Sequence, residues 1–139
     1  MPTEENKASL RREIEECWHK GNLMAVDEIY AASFINHSPS PGTTPDREGI
    51  KEFIKDMRNA FPDIKLTIED LIGENDKVVE RVTITGTNKG EAMNFAPTGR
   101  QVTFPVITIN RFSGDKIVER WSISDQLDIM RQLGIIPYQ

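Results

Sequence analysis

The chain has 139 residues, enough for one domain with a single core, and we predict one domain over residues 1–139. A net charge of -5 and the absence of any basic run longer than two residues argue against a nucleic-acid or membrane-surface partner. The N-terminal stretch lacks the apolar segment of a signal peptide, no apolar run is long enough to span a membrane, and the lone Cys17 suits a reducing compartment. We therefore expect a cytoplasmic protein.

Helical periodicity dominates the first 61 residues. An apolar stripe from Leu10 to Gly21 predicts a helix that ends near Lys20 and Gly21, and a shorter helix is predicted over residues 23–30. Residues 34–46 are rich in Pro, Gly, Ser and Thr, which predicts a loop. Thr44 is predicted to cap the next helix, with Pro45 in its first turn and Pro62 after its end.

The remaining sequence is typical of strands. Alternating or β-branched runs predict strands over residues 64–68, 78–87, 102–112 and 117–124. Turn residues separate them, except for a long connection over residues 88–101. Helices followed by a meander of strands predict an α+β fold with N-terminal helices packed on a mainly antiparallel sheet.

The strand over residues 102–112 is apolar on both faces. Val102, Phe104 and Val106 alternate with Pro105, Ile107 and Ile109. A sheet with one wet face would alternate apolar with polar residues. The pattern favours a homodimer through the sheet, although the long connection could cover the second face instead.

Several kinds of chemistry are disfavoured by the sequence. It contains two histidines in no metal-binding pattern, no phosphate-binding loop, no dinucleotide fingerprint and no nucleophile elbow. We therefore expect no metal and no cofactor. Any chemistry would be proton transfer or electrostatics from Asp, Glu, His, Arg and Tyr side chains.

Asp125 is the first candidate for proton transfer. It shares strand parity with Trp121 and Ile123, so its carboxyl should lie beside apolar side chains, and loss of hydration would raise its pKa into a useful range. The alternative is that Asp125, or Ser124 before it, only caps a helix that begins near Gln126. The residues alone, without any resemblance, slightly favour the cap.

Other candidates would line the same pocket. Arg81 lies on a strand face of threonines that could border a hydrated pocket. Arg111 is a similar case. Either guanidinium could hold a carboxylate or an enolate oxygen, or could lie on an ordinary solvated face. His37 follows an apolar pair and could donate to a ligand oxygen or only bind loop backbone. His19 is expected to be a surface residue that complements the helix dipole. Trp121, Met93 and Phe95 are predicted apolar contacts for a ligand, the last two from a rim or lid formed by residues 88–101.

With these residues in place, the chain resembles the SnoaL-like polyketide cyclases of the nuclear-transport-factor-2-like superfamily. The resemblance covers almost the whole chain through the order and spacing of four stretches: ECWHKGNLMAVDEIYAASFINHSPSPG, GIKEFIKDMRNAFPDIKLTIEDLI, GTNKGEAMNFAPTGRQV and GDKIVERWSISDQLDIMRQLG. It implies a cone-shaped α+β domain in which a curved sheet and helices enclose an apolar pocket. It also implies a homodimer or higher assembly and a cofactor-free aldol cyclisation of a polyketide ester.

The resemblance also implies roles for particular residues. Asp125, four residues after Trp121, matches the family's general acid/base, which reverses the preference for the cap. His37 matches a histidine at the pocket edge, and Arg81 matches a basic position on its strand. Arg111 is a departure, because characterised cyclases tend to have an uncharged polar group there, and an arginine would favour the carboxylate form of Asp125.

The leading functional hypothesis is thus a cofactor-free enzyme of lyase or isomerase type that acts on a small apolar carbonyl compound. Asp125 would move the proton, while His37 or an arginine would hold the oxyanion. An epoxide or ester hydrolase is one alternative, and it would need a second carboxylate and a water-fixing Asn or Tyr, such as Asn94 or Asn110. The other is a non-catalytic ligand-binding or dimerisation module in which Asp125 is only a cap.

Overall fold

The structure is a computed structural model that describes residues 2–91 and 96–137. The chain begins with helices, adds one strand, returns to a helix and then forms a meander of four strands. The elements are α1 (Pro2–Glu13), which continues as a π-helical segment (Ile14–His19), then α2 (Ala25–Ile29), β1 (Tyr30–Asn36), α3 (Arg47–Ala60), β2 (Lys65–Glu74), β3 (Lys77–Thr87), β4 (Gln101–Ser113), β5 (Lys116–Ser124) and α4 (Gln126–Gln132).

The five strands form one sheet in the order β1-β5-β4-β3-β2. Strands β2 to β5 pair in antiparallel fashion, whereas β1 is parallel to β5, so the sheet is mixed but mainly antiparallel. The α+β class is confirmed. No helix within the described ranges is long and apolar enough to cross a membrane.

Strand β1 corrects two predictions, the helix over residues 23–30 and the loop that was to begin at Phe34. The helix ends at Ile29, and Tyr30 to Asn36 are extended along β5. The run Ala31-Ala32-Ser33 has low strand propensity and its burial does not alternate, because β1 is an irregular edge strand. Pairing with β5, rather than local preference, makes this segment a strand.

The start of α3 also differs from the prediction in detail. Asp46, not Thr44, is the N-cap, and its carboxylate accepts a hydrogen bond from the Gly49 backbone N–H at 3.0 Å. The Thr44 hydroxyl donates to the same carboxylate oxygen at 2.6 Å, which helps to hold it against the helix end. These hydrogen bonds hold the pKa of Asp46 below its usual value.

The core lies between the helices and one face of the sheet. Apolar side chains from α1, the π-helical segment, α2 and α3 pack against the inward residues of β3, β4 and β5. Those inward residues include Val78, Val82, Ile84, Val102, Phe104, Phe112 and Ile117. The opposite face of the sheet, which we call the outer face, bears exposed apolar residues that include Ile107, Ile109 and Ile123.

Candidate functional site

A cluster of polar side chains lies buried on the inner face of the sheet, among the apolar core. Strand alternation explains its position, because Glu80 has the parity of Val78 and Val82, and Asn110 that of Phe112. Asn110 is paired in register with Arg120 on β5, and Glu80 with Thr108 on β4. Glu13 from the end of α1 and Tyr30 from the start of β1 complete the cluster from the helical side. The interior cluster is Glu13, Tyr30, Glu80, Asn110 and Arg120.

Two carboxyl groups of this cluster lie within electrostatic range of one guanidinium, that of Arg120. The Tyr30 hydroxyl donates a short hydrogen bond to Glu13 Oε2. Burial raises the pKa of Glu13, although Arg120 and the Tyr30 hydroxyl act in the opposite sense. Burial, with a contribution from the charge of Glu13, raises the pKa of Glu80 to about 8, although Arg120 opposes this. Glu80 is therefore mostly a neutral acid at pH 7, one that gains or loses its proton close to neutrality.

Three polar atoms of the cluster lack hydrogen-bond partners among the residues that the structure describes. They are Glu80 Oε2, Asn110 Nδ2 and Arg120 Nε. The Asn110 amide is close enough to favour the ionised form of Glu80, but its N–H and Glu80 Oε2 do not meet with hydrogen-bond geometry. Buried polar atoms are nearly always paired, so three unpaired atoms in one cluster indicate a site for further polar atoms.

Three of the predicted site residues do come together, but on the outer face. The His37 ring stacks on the Trp121 indole, with 4.8 Å between ring centroids and 8° between planes. His37 Nε2 lies 2.8 Å from Glu119 Oε2, and Arg111 Nε donates to Glu119 Oε1 at 2.6 Å. The hydrogen bonds from His37 and then Arg111 lower the pKa of Glu119. Trp121 also borders an apolar depression on this face, while the helices cover the other face. The ligand-binding roles of these side chains stay a prediction.

Arg81 is also on the outer face, in register with Ile107, and its place in a pocket lining stays a prediction. Its side chain is half exposed, and its Nε donates to Asp70 Oδ2 on the neighbouring strand at 2.7 Å. Met93 and Phe95 lie outside the described residues. Asn88 bridges the two ends of the connection between β3 and β4. Its Nδ2 donates to Gly90 O at 2.8 Å, and its Oδ1 accepts from Thr98 N at 2.9 Å.

Asp125 is the N-cap of α4. Its Oδ1 accepts from the Asp128 backbone N–H at 3.0 Å, and the residue is exposed. The apolar surroundings expected for its carboxyl are absent, since the Trp121 face to which it belongs is open. The structure thus shows the capping role, and proton transfer by Asp125 stays a prediction.

His19 has a structural role rather than the surface role expected of it. Its Nε2 accepts a hydrogen bond from the backbone N–H of Leu66 at 3.1 Å, and its Nδ1 lies 3.1 Å from Glu15 Oε2. The ring thereby ties the π-helical segment to the edge strand β2. A neutral ring with its proton on Nδ1 satisfies both contacts.

The sequence patterns did not indicate Glu13, Tyr30, Glu80 or Arg120 as site residues, and Asn110 was a candidate only for a hydrolase. The available signal was a charged or amide residue at an apolar position of an alternating strand. Glu80 interrupts the apolar set Val78, Val82 and Ile84 on one strand face. Charged residues are seldom fully buried unless they are paired. Within residues 2–91 and 96–137, no group of His, Cys, Asp and Glu could hold a metal ion.

Comparison with known proteins adds to this geometry. The profile of one family, described as SnoaL-like polyketide cyclase, matches residues 8–133. No curated protein matches the chain.

Solved structures show the same architecture. A candidate polyketide cyclase from Acidithiobacillus ferrooxidans is 30% identical, with a TM-score of 0.81 and 96% of each chain covered. IdmH, a candidate polyketide cyclase from Streptomyces antibioticus, is also 30% identical, with a TM-score of 0.78 over 93% of this chain and 98% of that one. AclR, a candidate hydroxylase from Streptomyces galilaeus, is 25% identical, with a TM-score of 0.85 over 99% of this chain and 85% of that one. The predicted nuclear-transport-factor-2-like fold is confirmed.

Proposed function

Because the chain belongs to the SnoaL-like polyketide cyclase family, we propose that it is a cofactor-free enzyme of lyase or isomerase type that moves a proton next to a carbonyl group of a small, largely apolar substrate. The observation that carries this proposal is Glu80, a buried carboxyl whose pKa is raised to about 8. A group that titrates near neutrality can both give and take a proton under ordinary conditions. Glu80 therefore replaces Asp125 as the proposed proton-transfer group.

The surroundings of Glu80 suit this chemistry. Arg120 lies beside it and is half-buried; burial lowers the pKa of Arg120, but Tyr30, Glu13 and Glu80 together raise it by more, so the guanidinium stays charged. A fixed positive charge in a dry site stabilises negative charge that develops on a carbonyl oxygen. Acid, base and electrostatic stabilisation would all be supplied by side chains, which is why the proposal needs no cofactor.

Hydrolysis of an epoxide or ester is a second candidate. Such a reaction requires a second carboxylate together with a water-fixing Asn or Tyr. The interior cluster supplies Glu13 as a second carboxyl, and Tyr30 and Asn110 as polar partners. In this reaction one carboxylate would activate water, while the neutral acid would protonate the departing oxygen.

A comparison of two variants tests the proposed role of Glu80. Purified protein would be screened with β-keto esters, lactones and epoxides, and turnover of the best substrate measured for Glu80→Gln and Asp125→Asn. We expect Glu80→Gln to lose about a hundred- to ten-thousand-fold in rate, because the proton-transfer group is removed. Asp125→Asn should keep its rate, since asparagine caps a helix as well as aspartate does.

The opposite pattern would restore Asp125 as the catalytic group. Turnover confined to epoxides or lactones, with oxygen from labelled water in the product, would favour the hydrolase. Equal activity in both variants and the parent protein would contradict both assignments.

We also propose a homodimer through the outer face. Ile107, Ile109 and Ile123 are 47%, 36% and 78% exposed there, and with Trp121 and Ser38 they border an apolar depression of about 260 Å³. Two such sheets can stack about 10 Å apart, which would bury these side chains against their copies. A two-fold axis would also place the charged pairs of this face, such as Arg111 with Glu119, near their equivalents.

Ile107→Lys should give a monomer in light scattering, with a mass near 15.8 kDa instead of twice that value. An ammonium buried without a partner is costly, so the interface should not form. Met24→Lys is the matched control, because Met24 is 79% exposed but lies before α2 and away from the sheet face. A parent protein that is already monomeric at micromolar concentration would refute the dimer.

A cytoplasmic location stays a prediction, supported by the buried free thiol of Cys17.

A further inference from the structure

Asn110 and Arg120 face each other across β4 and β5 with one unused N–H donor group each. The two residues are partners in the strand register on the inner face; Asn110 is buried, and Arg120 is half-buried with its Nε atom shielded from solvent. Asn110 Nδ2 and Arg120 Nε have no hydrogen-bond partner within the described part of the chain. The two unused donors thus belong to one register pair on one face of the sheet.

The rest of the cluster shows that this is not general loose packing. The Tyr30 hydroxyl is bound to Glu13, and the hydroxyls of Thr108 and Ser122, which form the next inner-face register pair, lie 3.0 Å apart. These neighbouring hydroxyls are thus paired, whereas the two donors are not. A buried donor without a partner costs free energy, so both N–H groups favour an oxygen acceptor.

The geometry points to a binding site for a ligand oxygen: we propose that Asn110 Nδ2 and Arg120 Nε together hold the oxygen of a carbonyl compound as it becomes an enolate. This inference rests on the proposed function and assigns two binding residues to it. The ligand class follows from the donors, because two N–H groups, one of them on a cation, fit an acceptor with growing negative charge. A cationic or purely donor ligand does not fit.

The third unpaired atom, Glu80 Oε2, belongs to the group that transfers the proton. The ionised carboxylate takes a proton from the carbon next to the carbonyl group. The electron pair of the broken C–H bond forms the new carbon–carbon double bond, and the carbonyl π pair moves to the oxygen held by the two donors. Return of the proton from Glu80 to carbon restores the starting charges, so no outside reactant is required.

Glu13 and Tyr30 are positioning residues in this arrangement. Glu13 is the last residue of α1, directly before the π-helical segment, and such local irregularities in helices are frequent at functional sites. The Tyr30 hydroxyl fixes the Glu13 carboxyl, and both groups act on the charge of Arg120. They hold the guanidinium while its Nε–H remains available.

Acetylacetone is a suitable probe, because it is a small 1,3-diketone whose enolate absorbs differently from its keto form. We expect ¹⁵N NMR of the parent protein to show shifts of the Arg120 Nε–H and the Asn110 side-chain NH₂ resonances when acetylacetone binds. Calorimetry on Asn110→Leu should give binding weakened about tenfold or more, as for loss of a hydrogen bond to a charged acceptor. Thr108→Val is the matched control, an inner-face change on the same strand that removes no unused donor, and its affinity should stay within about twofold of the parent.

Glu80→Gln separates this inference from the proposed function. It should lose turnover but still bind acetylacetone, since both donors remain. Arg120→Lys provides a second variant that keeps the charge but lacks Nε–H, and it should also bind weakly. The oxygen site is wrong if the parent protein does not bind the probe, if the two resonances do not shift, or if folded Asn110→Leu binds as the parent does. Loss of turnover in Glu80→Gln would then still support the proton-transfer role.

Discussion

Arg120→Met is expected to lower the free energy of unfolding by about 1 to 3 kcal/mol, the range for losing the polar interactions of a charged group that is shielded from water. Arg120 is the cation that lowers the pKa of both Glu13 and Glu80. Methionine has similar length but no charge, so Glu13 would have to ionise without its guanidinium or take up a proton. Both outcomes destabilise the folded state at neutral pH, because the unfolded chain ionises its carboxyl groups freely.

Urea unfolding followed by circular dichroism measures this effect. Arg81→Met is the matched control, since Arg81 makes a half-exposed ion pair with Asp70, and its loss should cost no more than about 1 kcal/mol. The double variant Arg120→Met with Glu13→Gln should recover part of the stability, because a neutral amide no longer needs the cation. Equal losses at Arg120 and Arg81 would show that the interior cluster is not held by charge.

Local patterns predicted the elements well where the pattern and the final environment agree. The periodicity of α3 and the alternation of β3, β4 and β5 gave strands and helices close to those observed, and the cap of α4 at Asp125 was among the predicted alternatives. These features depend on residues near in sequence, so the sequence contains the necessary information. Strand β1 was missed because its extended form depends on β5, which lies more than 80 residues later.

The location of the site could not be derived from local pattern. Alternation separates Trp121 from Arg120 and assigns each to a face, but it does not say which face the helices cover. Because both faces of β4 are rich in apolar residues, hydrophobicity did not decide between them. An aromatic face with a histidine was chosen as the pocket, whereas the helices cover the face that bears Glu80. The better guide is the buried charge, because only a covered face forces it to find partners.

Stability is expected to fall as the pH rises from about 4.5 to about 8. The pKa of Glu80 is raised from its ordinary 4.5 to about 8 in the folded protein, so the folded state holds a proton that the unfolded chain releases in this window. The stabilisation is fully present below pH 4.5 and is lost as the pH passes the folded value. One such proton gives a slope of about 1.4 kcal/mol per pH unit. The raised pKa of Glu13 acts in the same direction.

Glu80→Gln should remove most of that slope, because glutamine has no proton to lose. A loss of stability at acid pH should remain in the variant. Four carboxyl groups have lowered pKa values in the folded protein: Asp27, Asp46, Asp63 and Glu119. Their contribution to stability is present above their ordinary pKa values and is lost as the pH falls through the lowered ones. The parent protein should therefore be most stable near pH 5, and the variant should stay stable to higher pH. Urea unfolding at a series of pH values measures both changes in stability. A slope above pH 5 that is unchanged in Glu80→Gln would contradict a buried, neutral Glu80, and with it the acid on which the proposed chemistry depends.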